Sequence, residues 1–491
     1  MNRLISLITL LLAFGVVTDS AQLWSQDAAK RNVLLISVDD LNDWCGCLGG
    51  HPQASTPAID ALAKRGTLFA NAHCQSPVCN PSRASLLTGR YPHSTGIYFL
   101  SPPYHAAPVL KDVKTLPERF AHEGYDVAGV GKIFHNRSNK QVFSKVGVYG
   151  GSLGGFGPRP KKKISQPHGH PLWDWGAFPD SDEEMPDFRV ASWVIDRLKQ
   201  KESQKPFFLA VGFWRPHVPM FAPKKWFDMH PRGKIQLPKI FGGDNDDISS
   251  YAWDLTNLKH VSPKHSWVKE ADQWEHAVQA YLASTSFVDH QVGRVLDALN
   301  NSPHRDNTVV VLFADHGFHL GEKERWAKRT LWEDGTRVPL IVVDPSRKGG
   351  QICQKPAELI DIFPTLLALN GLNSDDTQEG QSLVPLLDDP KDSSWKHPAI
   401  TSFGPGNFSI KSERYRYIHY NDGSEEFYDH ANDPHEWHNL MAKGKELSAK
   451  NAAIVNQHRA LYPQKQHSLL PGNSTGHQAF QAAESNRKDS K

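Results

Sequence analysis

Four apolar runs constrain this chain more than anything else in it. Asn32–Val38 reads Asn-Val-Leu-Leu-Ile-Ser-Val and ends in Asp39-Asp40. Residues 126–130 lead to Gly131-Lys132, residues 206–211 to Gly212 and then Arg215-Pro216-His217, and residues 308–314 to Asp315-His316. Runs this continuous are strands buried on both faces, the habit of parallel sheets. Each delivers charged or metal-capable side chains at its carboxyl end, the edge at which open parallel sheets build their sites. Helical spacing separates the runs, at residues 56–64, 115–122, 188–198 and 271–299; in the last, Trp274, Val278, Tyr281, Val288, Val292, Val295 and Leu299 mark one face. The alternation predicts an α/β domain with a large doubly wound, mixed or mostly parallel sheet flanked by helices.

A further strand is expected at residues 338–343, and a helix at 361–369 with Asp361 at its start and Pro364 in its first turn. From about residue 391 the texture changes. Short β-prone runs at 399–403, 415–420 and 426–428, separated by Asn-Asp-Gly and Asn-Asp-Pro turn signals, predict a smaller C-terminal antiparallel α+β subdomain. The expected organisation is a signal peptide over residues 1–21, the α/β domain over 31–390, the subdomain over 391–465 and a flexible tail over 466–491. The signal reading rests on Arg3, the apolar residues 4–17 and the small residues Ser20 and Ala21. It implies export, to a periplasm, the medium or a lysosome-like compartment. No later run approaches the 18 or so apolar residues of a membrane span, so no integral membrane segment is expected after signal removal.

Lys and Arg number 55 against 53 Asp and Glu, which leaves no basic field for nucleic acid. The five cysteines are an odd number for an exported chain, so at least one is unpaired. Cys45 and Cys47 are separated only by Gly46, a spacing poorly suited to a mutual disulfide. Cys79 stands apart because of its surroundings: Cys79-Asn80-Pro81-Ser82-Arg83, followed by Leu87-Thr88-Gly89-Arg90. Pro81 and Ser82 are apt openers of a helix, which would put residue 79 at its electropositive end.

This stretch resembles the sulfatase signature, in which the Cys of a Cys-x-Pro-Ser-Arg core is oxidised after synthesis to formylglycine (3-oxoalanine). The resemblance extends over roughly residues 31–440 and is strongest to the iduronate-2-sulfatase branch. It implies a sulfuric ester hydrolase acting on a sulfated carbohydrate, such as a 2-O-sulfated uronic acid, and a formylglycine-generating enzyme as partner during maturation. It implies a nucleophile made from Cys79: the hydrated aldehyde is a geminal diol, one hydroxyl attacking sulfur and the other expelling sulfate as the aldehyde re-forms. By the same resemblance Asp39, Asp40, Asp315 and His316 hold a metal, completed by residue 79. Hard oxygen ligands suit Ca²⁺ or Mg²⁺, and the resemblance implies Ca²⁺ rather than Mg²⁺. Arg83 would reach the hydrate and its metal, and Lys132 and Lys328 would bind sulfate oxygens. His135 would handle the formylglycine proton, and His217 would protonate the departing oxygen.

The chain departs from the branch at Phe318-His319, where the lysosomal iduronate enzyme carries a Trp and an Ala. Trp173, Trp175, Trp214 and Trp332 are readable as sugar-stacking or as core residues, and Lys161-Lys162-Lys163 as a steering patch or a solvated loop. Glycosylation sequons stand at Asn136, Asn407 and Asn473. Two other functions share these residues: a formylglycine-dependent phosphonate or phosphodiester hydrolase, and a non-catalytic protein that binds sulfated glycans.

Overall fold

The computed structural model describes residues 30–135, 142–147, 155–165, 172–200, 205–257, 261–375 and 377–489. The signal segment and the Asn136 sequon lie outside them. The apolar runs form the centre of an eight-stranded sheet made of β1 (Asn32–Val38), β2 (Thr67–Phe69), β3 (Asp126–Gly131), β4 (Lys145–Val146), β5 (Phe207–Phe213), β6 (Thr308–Ala314), β7 (Leu340–Val343) and β8 (Gln351–Cys353). Their spatial order is β8-β2-β7-β6-β1-β5-β3-β4. All pairings are parallel except those of β7, which runs antiparallel to both β2 and β6. The expected mixed, mostly parallel sheet is therefore present. Every residue of β1 and β6 is buried, as continuous apolar runs require.

Helices cover the faces: α1 (Pro57–Arg65), α2 (Cys79–Thr88), α3 (Leu116–His122), α4 (Pro186–Leu198), α5 (Trp274–Asn300) and α6 (Ile362–Leu369). Thr115 caps α3 in a capping box with Glu118. Helix α1 begins at Pro57 without a side-chain cap of its own; Asp289 of α5 accepts from the N–H groups of Ala58 and Ile59 at 3.1 and 2.8 Å, which docks one helix on the other. Asp361 belongs to a 3₁₀ turn before α6, and there accepts from the Glu358 N–H at 2.8 Å.

The C-terminal sheet is antiparallel throughout, in the order β9 (Ala399–Ser402), β10 (Phe408–Lys411), β11 (Tyr415–His419) and β12 (Glu425–Asp429). Its Arg416, fully buried, pairs with Glu333 and with Glu436 (2.5 Å) and donates to the Leu331 carbonyl at 3.2 Å. Trp332 Nε1 donates to Glu426 at 2.7 Å. The small sheet thus grips residues 331–333, just beyond Lys328.

One sequence expectation is corrected here, and one sequon is placed. Within the stretch read as a frayed tail, the chain forms α7 (Thr475–Asp489), with Phe480 and Ala483 buried and Glu484 accepting from Tyr251 at 2.6 Å and from Asn421 at 2.8 Å. Its polar composition hides these anchors, which are tertiary. The Asn407 sequon is fully buried, with its amide nitrogen held by the Phe403 and Pro405 carbonyls, so it offers no acceptor to a glycosylating enzyme. Asn473 is exposed.

Candidate active site

Sheet register brings the site together. Val38 of β1 pairs with Phe213 on one side and Ala314 on the other, while Gly131 of β3 pairs with Gly212 of β5. Residues 39–40, 132, 214–217 and 315–316 therefore leave the sheet side by side at its carboxyl edge, as the parallel arrangement predicts. Gly131 has φ +81°, and a Cβ there would lie 1.9 Å from the Gly212 carbonyl oxygen, so only glycine lets the chain turn Lys132 inward at this point.

Helix α2 is buried along its whole length and starts at Cys79, whose side chain sits at the free N-terminal end. Cys79 Sγ lies 3.1 Å from His316 Nε2, 3.5 Å from Lys328 Nζ and 3.6 Å from Lys132 Nζ. Arg83, one helical turn on, is fully paired: Nε donates to Asp315 at 2.9 Å, Nη2 to Asp39 at 3.2 Å, and Nη1 to Ser37 Oγ at 3.0 Å and to the carbonyls of Lys132 and Ile133. Lys132 also pairs with Asp39, and Lys328 with Asp40 at 2.5 Å. Lys328 is carried between Ala327 (φ +73°) and Arg329 (φ +81°), two non-glycine residues in the left-handed region, where backbone strain is commonly kept for function.

Three cations thus hold three aspartates, and the balance shows in their acidities. Burial raises the Asp39 carboxyl, but Lys132, His217 and Arg83 outweigh it and hold it well below the usual range. Asp40 is pushed up to about 7, by burial first, then by Asp39, against the pull of Lys328. Burial opposes ionisation of Cys79, yet Lys132 and Lys328 bring the thiol well below its ordinary value.

A cation fits among these groups. Asp40 Oδ2 is buried without a hydrogen-bond partner. His316 Nδ1 lies 3.0 Å from the Gly317 carbonyl, so Nε2 is turned toward Asp40 Oδ1 (3.4 Å), Asp315 Oδ2 (3.5 Å) and Cys79. With no ion present, burial would keep this ring neutral, but Asp315 and Cys79 lift it to about 9. A divalent cation would offset the same charges and use Nε2 as a ligand. The ligand atoms of Asp39, Cys79, Asp315 and His316 lie within 4.8 Å of one another, as do those of Asp40, Cys79 and His217.

His217 lies 3.8 Å from Asp40 Oδ2 through Nε2, with Nδ1 2.6 Å from the Val218 carbonyl. Asp187 accepts from the N–H groups of Trp214 (2.7 Å) and Arg215 (3.1 Å) and fixes the loop that carries it. Burial, then Lys328, holds the His217 ring well below the usual histidine range, so at rest it is neutral.

Nine of the ten sequence-derived residues meet here. His135 is half-buried, its Nδ1 without a partner, and no hydrogen bond or ion pair joins it to the cluster among the described residues. Three residues were not singled out as part of the site. Ser37 holds Arg83, and its hydroxyl inside an apolar run was a usable signal. Tyr281 donates to the Asp40 carbonyl at 2.7 Å and accepts from the Asn42 N–H at 2.9 Å, but in sequence it is one more member of an apolar helical face. Asp187 showed nothing. Of the four tryptophans, Trp173, Trp175 and Trp332 are fully buried with bonded indole N–H groups and belong to the core. Trp214 remains beside the site, its ring centroid 5.2 Å from Lys132 Nζ.

The sulfatase family model matches residues 31–372, and the N-sulphoglucosamine sulphohydrolase C-terminal model matches residues 321–459. A sulfatase of Formosa agariphila is 42% identical over 438 residues, covering 86% of this chain and 85% of that protein. Human iduronate 2-sulfatase is 32% identical over 386 residues, covering 70% of this chain and 69% of its own. Among solved structures, a 2-O GAG sulfatase superimposes with a TM-score of 0.69 at 23% identity, covering 94% of each chain.

Proposed function

The chain belongs to the sulfatase family of sulfuric ester hydrolases, and we propose on that premise that it is an exported, metal-dependent enzyme that removes 2-O-sulfate from uronic acid residues of a sulfated carbohydrate. The observation that carries this reading is the setting of Cys79: the start of a buried helix, between two lysines, with a carboxylate–imidazole cluster behind it. The 2-O-uronate assignment is supported by the names of the iduronate 2-sulfatase relative and the 2-O sulfatase neighbour. Export is supported by the basic and apolar residues 3–17, and no described helix is long and apolar enough to cross a membrane.

In this reading Cys79 is converted to formylglycine by a formylglycine-generating enzyme, and its hydrate supplies an oxygen nucleophile for sulfur. Asp39, Asp40, Asp315 and His316 would hold Ca²⁺, which supplies charge neutralisation for the sulfonyl oxygens. Arg83 aligns Asp39 and Asp315 and favours the ionised form of each, against burial that raises Asp315. Lys132 and Lys328, each within 3.6 Å of the residue 79 side chain, bind the sulfate oxygens as point charges. His217 delivers a proton from Nε2 to the departing sugar oxygen. Its resting ring is neutral, and the negative charge of the arriving sulfate ester favours the protonation that this role needs. His135 would assist proton movement at residue 79, a role that rests on the family resemblance alone.

The test is sulfate release from a 2-O-sulfated uronate disaccharide compared with hydrolysis of an aryl phosphonate. The sulfate ester is expected to be preferred by several orders of magnitude, and a preference for the phosphonate would overturn the reading. His217→Ala tests the acid role. It should cost the sugar sulfate about 10²–10⁴-fold in kcat and an aryl sulfate with a good leaving group much less, whereas equal losses would remove His217 from that role.

A further inference from the structure

His319 is one of the two positions at which the chain departs from the iduronate branch, and it plays no part in the chemistry above. Its side chain is fully buried. Nε2 lies 2.6 Å from Thr330 Oγ1, while Nδ1 has no hydrogen-bond partner. The unpartnered Nδ1 faces the Asp334 carboxylate at 3.8 Å, too far for a hydrogen bond. Glu322 completes the group: ligand atoms of His319, Glu322 and Asp334 all lie within 4.8 Å of one another. Glu322 is held in place by the Leu320 N–H, which donates to Oε2 at 2.6 Å. Among the described residues no Lys or Arg pairs with Glu322 or Asp334, whereas nearby Asp43 has Arg337 at 3.2 Å. The Asp334 side chain is 35% exposed, so the group opens to solvent on one side.

A buried imidazole nitrogen without a partner, facing one carboxylate with a second close by and neither in an ion pair with Lys or Arg, is an arrangement that a cation completes. We propose that His319, Glu322 and Asp334 form a second divalent cation site, separate from the catalytic cluster. The imidazole nitrogen favours a transition metal over Ca²⁺, and one such nitrogen with two carboxylate oxygens can hold a zinc ion, with water entering through the open side as fourth ligand. The ion would tie the ribbon of residues 319–320 and 326–327, which leads directly to Lys328, to the short helix Glu333–Thr336. Its task would be structural, holding a segment in which Lys323, Glu324, Ala327 and Arg329 all have positive φ.

The test uses the full chain in excess Ca²⁺, titrated with ZnCl₂, with bound metal counted by mass spectrometry after desalting. Wild type is expected to retain one zinc per chain. Asp334→Asn, a change at a partly exposed position that leaves the fold intact, should retain none, and His319→Ala should agree with it. Asp315→Ala, whose lost contacts lie in the catalytic cluster and not at His319, Glu322 or Asp334, should keep its zinc at temperatures where it remains folded. The rise in unfolding temperature caused by zinc should disappear in Asp334→Asn. The proposal is overturned if wild type takes up no zinc, or if Asp334→Asn retains as much as wild type. Retention that depends on Asp315 alone would place the zinc in the catalytic cluster and also overturn it.

Discussion

Replacing Cys79 by alanine is expected to lower kcat for sulfate esters by on the order of 10⁵-fold, because no other side chain in the site can become the nucleophile. The fold and the bound cation should survive the change. Cys79 Sγ lies 3.1 Å from His316 Nε2 and 3.5–3.6 Å from Lys328 and Lys132 but packs no apolar core, and the four other candidate ligands stay in place. The expected variant is a protein with wild-type thermal stability and wild-type metal content that releases no sulfate. It should still bind a sulfated uronate, since Lys132 and Lys328 are untouched. Appreciable turnover by this variant in a preparation free of wild-type enzyme would remove residue 79 from the chemistry.

Asp315→Ala should fail differently, losing rate, metal and stability together. The carboxylate accepts from Arg83 Nε at 2.9 Å and from the Asp40 N–H at 3.2 Å, and it stands 3.5 Å from His316 Nε2. Without it the Arg83 guanidinium is buried with one carboxylate partner instead of two. Breaking a buried pair in this way typically costs about 3–5 kcal/mol. One metal ligand is lost as well, and the Asp40 turn, at φ +62°, loses its anchor. Metal content measured on purified protein should fall with activity, and the unfolding temperature should drop. Full metal occupancy in Asp315→Ala would contradict the ligand assignment. The pair of variants separates two roles that activity alone would merge, since only Asp315→Ala should lose metal.

What could be read in the sequence follows from where each signal resides. β1 and β6 are apolar throughout because both faces are covered, so they stand out, and the residues that follow them lie at one edge because their neighbours are parallel. The Cys79–Arg83 spacing is helical, so once a helix begins at 79 both side chains fall on one face. Other features depend on contacts distant in sequence. β10 was not expected, because Ser409 and Lys411 make Phe408–Lys411 look half-solvated although all four residues are buried. Trp173, Trp175 and Trp332 find hydrogen-bond partners from 88 to 98 residues away, which no local pattern announces. The inward turn of Lys132 rests on two glycines meeting across paired strands, and neither is conspicuous alone. His319 shows the reverse case: its departure from the branch was visible at once, and its unpartnered nitrogen only in three dimensions.

The central claim is that residue 79 is the nucleophile in its oxidised form, and the mass of the tryptic peptide that carries it tests this most directly. In active protein from its native host the account predicts the aldehyde, lighter than the thiol by about 18 mass units. An unmodified thiol in a preparation that hydrolyses sulfate esters at full rate would contradict it.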